Sequence, residues 1–441
     1  MRLLASLLIP VLLILHSICW ARDSDDAASY QPDVEEEDSD GEEVRGQRFF
    51  RSESTFWRFL GLPADALDLF WYPVKRGLQF SEENQLAERL EESFFFNEER
   101  TAGWFPKPSF GGPLGDAGGA TVFFGELFDS HHRFDTSFLI AGTREFDING
   151  TYSIPAVENR PFYSRFDVGF LQDREVEVFT ARGDSGLPMS GMETHEDDES
   201  EYQLREFSTG VTVGRNFFGG LQLAGHLRGE LSKSTQRLQP NFASFEGFDE
   251  EITLLAPGLT LIWDRRDDLR RPTRGWLLRA ETEVAASPVE TPLGNRYGYS
   301  DYSLDAQFFV PLPGPHRALV FRQRLRRVED WAGYDPPFYH LPVLDLNHGL
   351  RAYTRNRFQD RGSIVSNVEY RYPIWRTWDA LLFGDGGQTF AQYSDINVSD
   401  FRYAGGVGVR VRTEKDVEFL LQLGFGSEGV ELVFSFDRVL Q

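Results

Sequence analysis

From residue 118 to near the C-terminus, apolar and polar residues alternate with a period of two, in segments of about ten residues. Gly, Pro, Asn and Asp residues separate these segments. Period two places successive side chains on opposite faces of a strand, and about ten residues is the length of a tilted strand that crosses a membrane. The pattern therefore predicts a sheet with one apolar face.

The number of segments predicts how this sheet is built. We count sixteen of them. Their predicted ranges are 118–127, 133–143, 145–154, 162–172, 174–183, 202–215, 219–231, 253–264, 274–287, 299–310, 317–328, 363–373, 378–391, 402–412, 417–426 and 430–437. Bacterial outer-membrane barrels have even numbers of antiparallel strands. The chain is therefore predicted to be all-β, a sixteen-stranded antiparallel transmembrane β-barrel.

The connections between the predicted strands alternate in length. Short connections follow even-numbered strands near Thr143, Gln172, Asn216, Pro311, Ile374 and Thr413. Long connections follow odd-numbered strands at 183–201, 232–251, 287–298 and 329–362. Outer-membrane barrels have short periplasmic turns and longer external loops. The alternation predicts that the long connections lie outside the cell and that both termini are periplasmic.

Three segments are predicted to precede a barrel that covers residues 102–441. Residues 1–21 have the form of a secretory signal peptide, since Arg2 precedes an apolar run that is too short to span a membrane as a helix. Residues 22–48 are predicted to be a disordered acidic linker, because eight acids and no base occur at 33–43. Residues 49–101 are predicted to be a helical periplasmic segment, with short helices at 63–71 and 81–95.

Composition and spacing exclude several classes of function. A net charge of -24 argues against a nucleic-acid partner, because binding to phosphates requires clustered Lys and Arg. The chain lacks His and Cys spacings typical of metal sites and has no phosphate-binding glycine loop, so no cofactor is expected. An aromatic content of 14% and 41 glycines suit a barrel with aromatic girdles and tight turns.

One motif suggests an enzyme, but its context does not. Residues 183–188 read GDSGLP, similar to the nucleophile region of trypsin-like proteases. A serine protease also needs a His and an Asp that activate the serine. Upstream of Ser185, the predicted mature chain offers only His131 and His132, on a predicted turn. We therefore expect Ser185 to lie in an ordinary loop, and we expect no catalytic residue in the chain.

Three motifs in the C-terminal half occur in a fixed order. The first, WDRRDDLRRPTRGW at 263–276, contains Asp264, Arg266, Pro272 and Gly275. The second is LRAY, which comprises Leu350, Arg351, Ala352 and Tyr353, in the longest predicted loop. The third is FGDGG, with Phe383, Asp385 and Gly387, and Glu369 lies on the strand before it.

In this order and spacing, the motifs resemble the barrel of the BamA and TamA outer-membrane assembly factors, in the bacterial surface antigen superfamily. Three departures are visible: Ala352 stands where the family has glycine, the last predicted strand does not end on an aromatic residue, and no POTRA domains are recognisable before the barrel. The resemblance implies that Arg351 reaches into the barrel and pairs with Glu369 and Asp385. We expect Phe383 to face lipid, so Asp385 would face inward only if the strand bulged at Gly384.

The resemblance also implies a function, in outer-membrane protein insertion or export. Family members act without covalent chemistry, at a weak seam between first and last strands where a client strand can add. The expected partners are outer-membrane lipid and client proteins or periplasmic factors. A passive channel and a structural surface barrel are the alternatives, because sixteen strands leave a lumen wide enough for water.

Overall fold

The computed structural model describes residues 94–99, 101–112, 114–127, 131–142, 144–157, 161–179, 199–236, 245–269, 271–374, 378–412 and 417–438. The predicted signal peptide, acidic linker and first helix lie outside these residues. Residues 81–93 of the second predicted helix lie outside them as well. Phe94 and Phe95, at the end of that predicted helix, form a turn and a β-bridge to Gly103 instead. Among the described residues, no helix is long and apolar enough to cross a membrane.

The described residues form strands joined by turns and loops. The strands are β1 (Ala102–Pro106), β2 (Ser109–Gly112), β3 (Gly115–Leu127), β4 (His132–Ala141), β5 (Glu145–Ile154), β6 (Phe162–Phe179), β7 (Glu199–Asn216), β8 (Leu221–Gln236), β9 (Glu251–Asp264), β10 (Gly275–Ala286), β11 (Gly298–Pro311), β12 (Ala318–Asp330), β13 (Val343–Leu344), β14 (Phe358–Gln359), β15 (Gly362–Pro373), β16 (Trp378–Phe390), β17 (Arg402–Arg412), β18 (Val417–Gly426) and β19 (Val430–Arg438).

All strands except β13 and β14 belong to one antiparallel sheet that closes on itself. Neighbours along the chain pair from β2 to β12, β12 pairs with β15, and pairing continues to β19. β19 then pairs with β2. β1 and β2 both pair with β3, at different positions along it, so they share one place in the ring. The sheet therefore has sixteen strand positions, as the alternation predicted.

Two of the predicted strand assignments are wrong, although the total is right. The predicted strands 162–172 and 174–183 form one strand, β6, and the pairing register with β7 shifts between Asp173 and Val176. The sixteenth position is supplied by β2, upstream of the first predicted strand. The polar residues at 172–175 were interpreted as a turn, whereas they form a β-bulge whose Asp173 is buried and ion-paired with Arg355, 2.9 Å away.

This correction changes which end of the barrel holds the first connections. Because strand direction alternates, the connection at 142–144 lies at the same end as the loop at 331–361, and the connection at 128–131 lies at the opposite end. We call these the loop end and the turn end. Gln172 lies inside β6, so it marks no connection, and the predicted short turn near Thr143 belongs to the loop end. Thr143 itself lies outside the described residues.

The two faces of the ring differ in chemistry. The outward face carries large exposed apolar side chains, among them Phe138, Ile140, Leu223, Leu259 and Val407. The inward face carries ion pairs such as Arg228 with Glu283 and Arg326 with Asp301. An apolar outer band around a polar interior is the arrangement of a transmembrane barrel.

The connection at 331–361, which we call the lumen loop, lies inside the ring. Its Phe338 is fully buried and packs against Tyr202 of β7, with ring centroids 4.9 Å apart. Its Leu350, Tyr353 and Phe358 are buried as well, in a cluster that includes Val365 of β15. The loop therefore fills interior space that sixteen strands alone would leave open.

The corrected strand order predicts which connections share a side of the membrane. In a Cys19→Ser background, Arg144→Cys and Leu293→Cys should react alike with an impermeant thiol reagent on intact cells, because both positions are exposed at the loop end. Phe218→Cys, at the fully exposed tip of a turn-end connection, should react in the opposite way. If Arg144→Cys followed Phe218→Cys instead, the strand order between β4 and β7 would be wrong.

Candidate functional site

Arg351 of the lumen loop is held by two carboxylates of the barrel wall. Its Nε and Nη2 donate to the two oxygens of Asp385 on β16, at 2.9 and 2.7 Å. Its Nη1 donates to Glu369 on β15, at 3.0 Å. The Asp385 side chain is inaccessible to solvent and that of Arg351 is 12% exposed. The structure thus brings together the three residues that the sequence analysis had paired.

Further polar groups complete this cluster. Glu369 also accepts a hydrogen bond from Arg371 at 2.7 Å, and Arg410 of β17 lies 3.6 Å from it. Asn367 donates from its amide both to Asp385, at 2.7 Å, and to the carbonyl of Gly349, at 2.6 Å. Each carboxylate therefore has several donors, which compensates its removal from water.

Asp385 faces inward without the bulge that we expected at Gly384. β15 and β16 pair in unbroken register, with Glu369 opposite Phe383 and Asn367 opposite Asp385. Phe383 and Asp385 therefore share the inward face. The prediction that Phe383 contacts lipid is wrong: its ring is buried, and the Arg351 guanidinium lies 3.6 Å from the ring centroid. The ring adds a cation–π contact to the ion pairs.

The residues around Arg351 fix the path of the loop. Leu350, Ala352 and Tyr353 are buried, and the Tyr353 hydroxyl donates to the carbonyl of Tyr403 at 3.2 Å. Gly349 has φ +100, which favours glycine, and a Cβ there would meet the Arg324 guanidinium. Ala352 is not among the described residues with positive φ, so this position accepts alanine where the family has glycine.

A residue that the sequence analysis missed organises the loop from within. Asp345 is fully buried and accepts hydrogen bonds from the backbone N–H groups of Asn347, His348 and Asn356, and from the His348 ring. Burial raises the pKa of Asp345, but these hydrogen bonds outweigh it and hold the pKa below its usual value. The Asp-x-Asn-His-Gly sequence at 345–349 was the available signal, since Asx turns use such residues.

The loop is anchored at three further places on the wall. His340 lies 2.9 Å from Glu230 of β8, which also pairs with Arg228. Arg355 pairs with Asp173 in the bulge of β6. Arg357 pairs with Glu428 in the β18–β19 connection, at 2.8 Å, and its guanidinium lies over Phe179 of β6. The loop therefore spans the interior and ties opposite walls together.

The 263–276 motif lies at the turn end and forms a separate structure. Asp264 accepts from the backbone and the guanidinium of Arg266. Gly275 has φ +104, and a Cβ there would meet the carbonyl of Arg265, so the turn requires glycine. Pro272 lies in this same connection. Gly387 of β16 lies elsewhere, next to the lumen loop, because a Cβ there would crowd Leu344 of the loop and Val365 of β15.

The protease-like motif contributes nothing to the described site. Ser185 lies outside the described residues. His132 is on β4, and its Nδ1 is 2.5 Å from the Tyr152 hydroxyl. Within the described part of the chain, no group of three or more His, Cys, Asp or Glu side chains could hold a metal ion.

The seam between the first and last strands is paired far less than the rest of the wall. β19 pairs with β2 through one residue pair, Phe434 with Phe110, whereas β19 and β18 share nine pairs from Val417 to Phe425. An edge with unpaired backbone groups can accept another strand.

Prolines explain part of this weak pairing. Odd-numbered residues here direct their backbone groups toward β3, since the N–H of Lys107 donates to Gly119. Trp104 directs its N–H to the other side, the side of the seam. Positions 106 and 108 would do the same, but both are proline and have no N–H to donate. The first strand therefore lacks two donors along its seam edge.

The pairing around Arg351 predicts a large effect on folding. Arg351→Ala removes the cation bound to the buried Asp385 and one of the three cations around Glu369, and should cost about 3 to 5 kcal/mol of stability. We expect a smaller heat-modifiable, folded fraction on gels. Adding Asp385→Asn should restore part of it, because the uncompensated charge is then removed, whereas Glu369 keeps Arg371 and Arg410 as partners.

Arg361 offers the matched control for this experiment. It lies in the same loop and pairs with Asp330 and Asp335, whose side chains are about half exposed. Arg361→Ala should cost under about 1 kcal/mol, as exposed pairs do. Equal behaviour of the two alanine variants would show that Arg351 does not hold the loop.

The loop should also become less stable as the pH rises. Burial raises the pKa of Asp360 to about 7, although the N–H of Arg361 that donates to its carboxylate lowers it. The folded loop thus binds this proton more tightly than the unfolded loop between the ordinary value, 3.8, and about 7, and stability falls as the pH rises through that window.

Limited proteolysis can test this dependence. The ratio of cleavage rates, wild type over Asp360→Asn, should be larger at about pH 8 than at about pH 5.5. Because both proteins meet the same protease at each pH, the ratio removes the protease's own pH dependence. A ratio that does not change with pH would contradict the assignment.

Comparisons with known proteins agree with this geometry. Residues 134–414 match the Omp85 superfamily domain. The fold is similar to BamA from Haemophilus ducreyi lacking POTRA domains 1–3, with a TM-score of 0.53, 10% identity, and coverage of 76% of this chain and 69% of that one.

A second solved structure gives a similar result, and the curated proteins add none. CdiB from Escherichia coli matches with a TM-score of 0.50 and 10% identity, over 76% of this chain and 62% of that one. No curated protein matches. The domain match covers more than half of the chain, and the resemblance found in its motifs is thereby confirmed. The chain belongs to the Omp85 superfamily.

Proposed function

We propose that this barrel acts in outer-membrane protein insertion or polypeptide export, by letting a client strand pair with its first strand at the seam. The observation that carries the proposal is the single residue pair between β19 and β2. Weak pairing at one junction is unfavourable for a closed barrel in lipid, since each unpaired backbone group in hydrocarbon costs several kcal/mol.

Strand addition explains how such a junction could work without covalent chemistry. A client strand would satisfy the free backbone groups of the first or last strand, which is favourable in lipid, and would leave once its own barrel had closed. No nucleophile, base or metal is needed. We therefore propose that the protein is not an enzyme and that its partners are client proteins or periplasmic factors, together with lipid.

The lumen loop supports this proposal, because it stiffens the wall next to the seam. The Tyr353 hydroxyl lies 3.0 Å from Ser427, and Arg357 pairs with Glu428, both in the β18–β19 connection. Arg351 holds β15 and β16. The loop thus holds the wall up to the β18–β19 connection, next to the junction that β19 makes with β2 through the pair Phe434 and Phe110.

We propose the orientation from the lengths of the connections. The loop end would face the cell exterior and the turn end the periplasm, as in barrels of this type. The C-terminal strand would then end on the periplasmic side, and β1 would begin there. Clients arrive from this side.

A passive channel is the second candidate, and one observation favours it. A cavity of about 670 Å³ at the loop end is lined mainly by charged residues, among them Asp116, Arg144, Glu177 and Glu201. Leu346, Thr354 and Arg355 of the lumen loop form part of its lining. A large and steady conductance of the purified protein in planar bilayers would favour the channel, whereas a small or intermittent one suits the seam.

Locking the seam tests the proposed function. A disulfide between Phe110→Cys and Phe434→Cys joins the one described pair, and it should abolish insertion or export of a client in reconstituted vesicles until reductant is added. The matched control is Val407→Cys with Leu423→Cys, an equivalent pair across β17 and β18 that should have no effect. Undiminished activity of the locked seam would rule out strand exchange at this junction.

A further inference from the structure

The seam edge of β1 is already occupied by a short segment of the same chain. Phe96 donates its N–H to the carbonyl of Ala102 at 2.9 Å, and Trp104 donates to the carbonyl of Phe94 at 2.8 Å. Phe95 faces Gly103 in an antiparallel bridge. Because β1 pairs with β3 through its other edge, the bridged segment Phe94–Phe96 lies on the side where a client would bind.

This segment continues both faces of the sheet. Phe95 packs on the inward rings Phe105 and Phe123, with centroids 6.1 and 6.0 Å apart. Phe94 contacts Trp104 at 5.6 Å and also the inward ring Phe105 at 5.9 Å, and on the outward face Phe96 contacts Phe124 at 6.3 Å. Aromatic pairs of this geometry stabilise a strand beyond the area that they bury. The segment therefore satisfies the edge as an incoming strand would.

A side-chain cap turns the chain back onto β1. The Asn97 amide donates to the Thr101 hydroxyl at 2.8 Å and accepts from the N–H of Ala102 at 3.1 Å. Gly103 lets the two backbones approach, because a Cβ there would meet the carbonyl oxygen of Phe94. Asn97 and Gly103 are thus both needed for the turn and the pairing.

We propose that Phe94–Asn97 is a resident strand that occupies the client edge of β1 and must be displaced before a client strand can pair there. This inference rests on the proposed function and adds its regulation. The segment is suited to displacement, since its pairing with β1 is short, with Phe95 and Gly103 in a single β-bridge, and Phe96 is 58% exposed. A displacing strand would need to supply the same two bonds and an aromatic side chain against Phe105 and Phe123.

Weakening the resident strand should open the edge. Phe95→Ser with Asn97→Ala removes the contacts of Phe95 with Phe105 and Phe123 and also removes the cap, while leaving β1 intact. A synthetic peptide with the sequence of residues 92–99, carrying a photoreactive group, should crosslink to β1 of this full-length variant about tenfold more than to wild type. Amide hydrogen exchange at Trp104 should accelerate in parallel, since its acceptor is lost.

The matched control is Phe218→Ser, which removes a fully exposed phenylalanine from a turn-end connection. It should change neither crosslinking nor exchange at Trp104. A second variant guards against a folding defect in the first: Phe96→Cys with Ala102→Cys should lock the resident strand, so that crosslinking of the peptide disappears and returns on reduction.

The outcomes separate this inference from the proposed function. If exchange at Trp104 accelerates while peptide crosslinking stays at the wild-type level, the resident strand does not guard the edge and the inference is overturned. The same holds if the locked variant accepts the peptide as well as its reduced form does. If peptide crosslinking changes as expected but a disulfide between positions 110 and 434 leaves client insertion unchanged, the inference about the resident strand is supported and the proposed function is contradicted.

Discussion

A sheet placed in hydrocarbon must pair nearly all of its backbone N–H and C=O groups, because water is not available to satisfy them. This requirement explains why the strands close into a ring, and why fifteen of its sixteen junctions are joined by several residue pairs. It also makes the weak pairing of the remaining junction unusual. β19 meets the first strand through one pair, and Pro106 and Pro108 remove donors from that edge. The loss of these two donors is permanent, because proline has no backbone N–H in any conformation.

Closing sixteen strands creates a second problem, a wide interior lined by charges. The lumen loop solves it with paired groups instead of apolar packing alone. Arg351 faces Asp385 and Glu369, His340 faces Glu230, and Arg357 faces Glu428. Such pairs give little net stability, because desolvation offsets their attraction, but breaking one is costly. Their main effect is therefore to fix the position of the loop, and they add little to the stability of the barrel. The position that they fix is beside the seam.

The sequence predicted what depends on local pattern and missed what depends on long-range contacts. Period two in segments such as Val407–Arg412 predicted strands and their faces, and the motifs predicted the partners of Arg351. Asp173 was misread because a polar residue in a bulge has the same local sequence as a turn. The prediction that Phe383 faces lipid is wrong because the local sequence, Leu382-Phe383-Gly384, reveals nothing about the guanidinium that lies over the ring. His340 and Glu230 are 110 residues apart, and no local signal joins them.

Under the proposed function, the seam would have to satisfy two opposing demands, and the segment before β1 would reconcile them. An edge free enough to accept a client is also an edge that can pair with any exposed strand, which is the origin of aggregation in sheet proteins. Prolines protect part of the edge permanently, at positions 106 and 108. At 102–104, where donors remain, Phe94–Phe96 supplies a strand that is present at high effective concentration yet holds few bonds. In the proposed function, a tethered segment of this kind would exclude weak competitors and would be displaced by a longer strand that makes more bonds, so that the edge would accept only such strands.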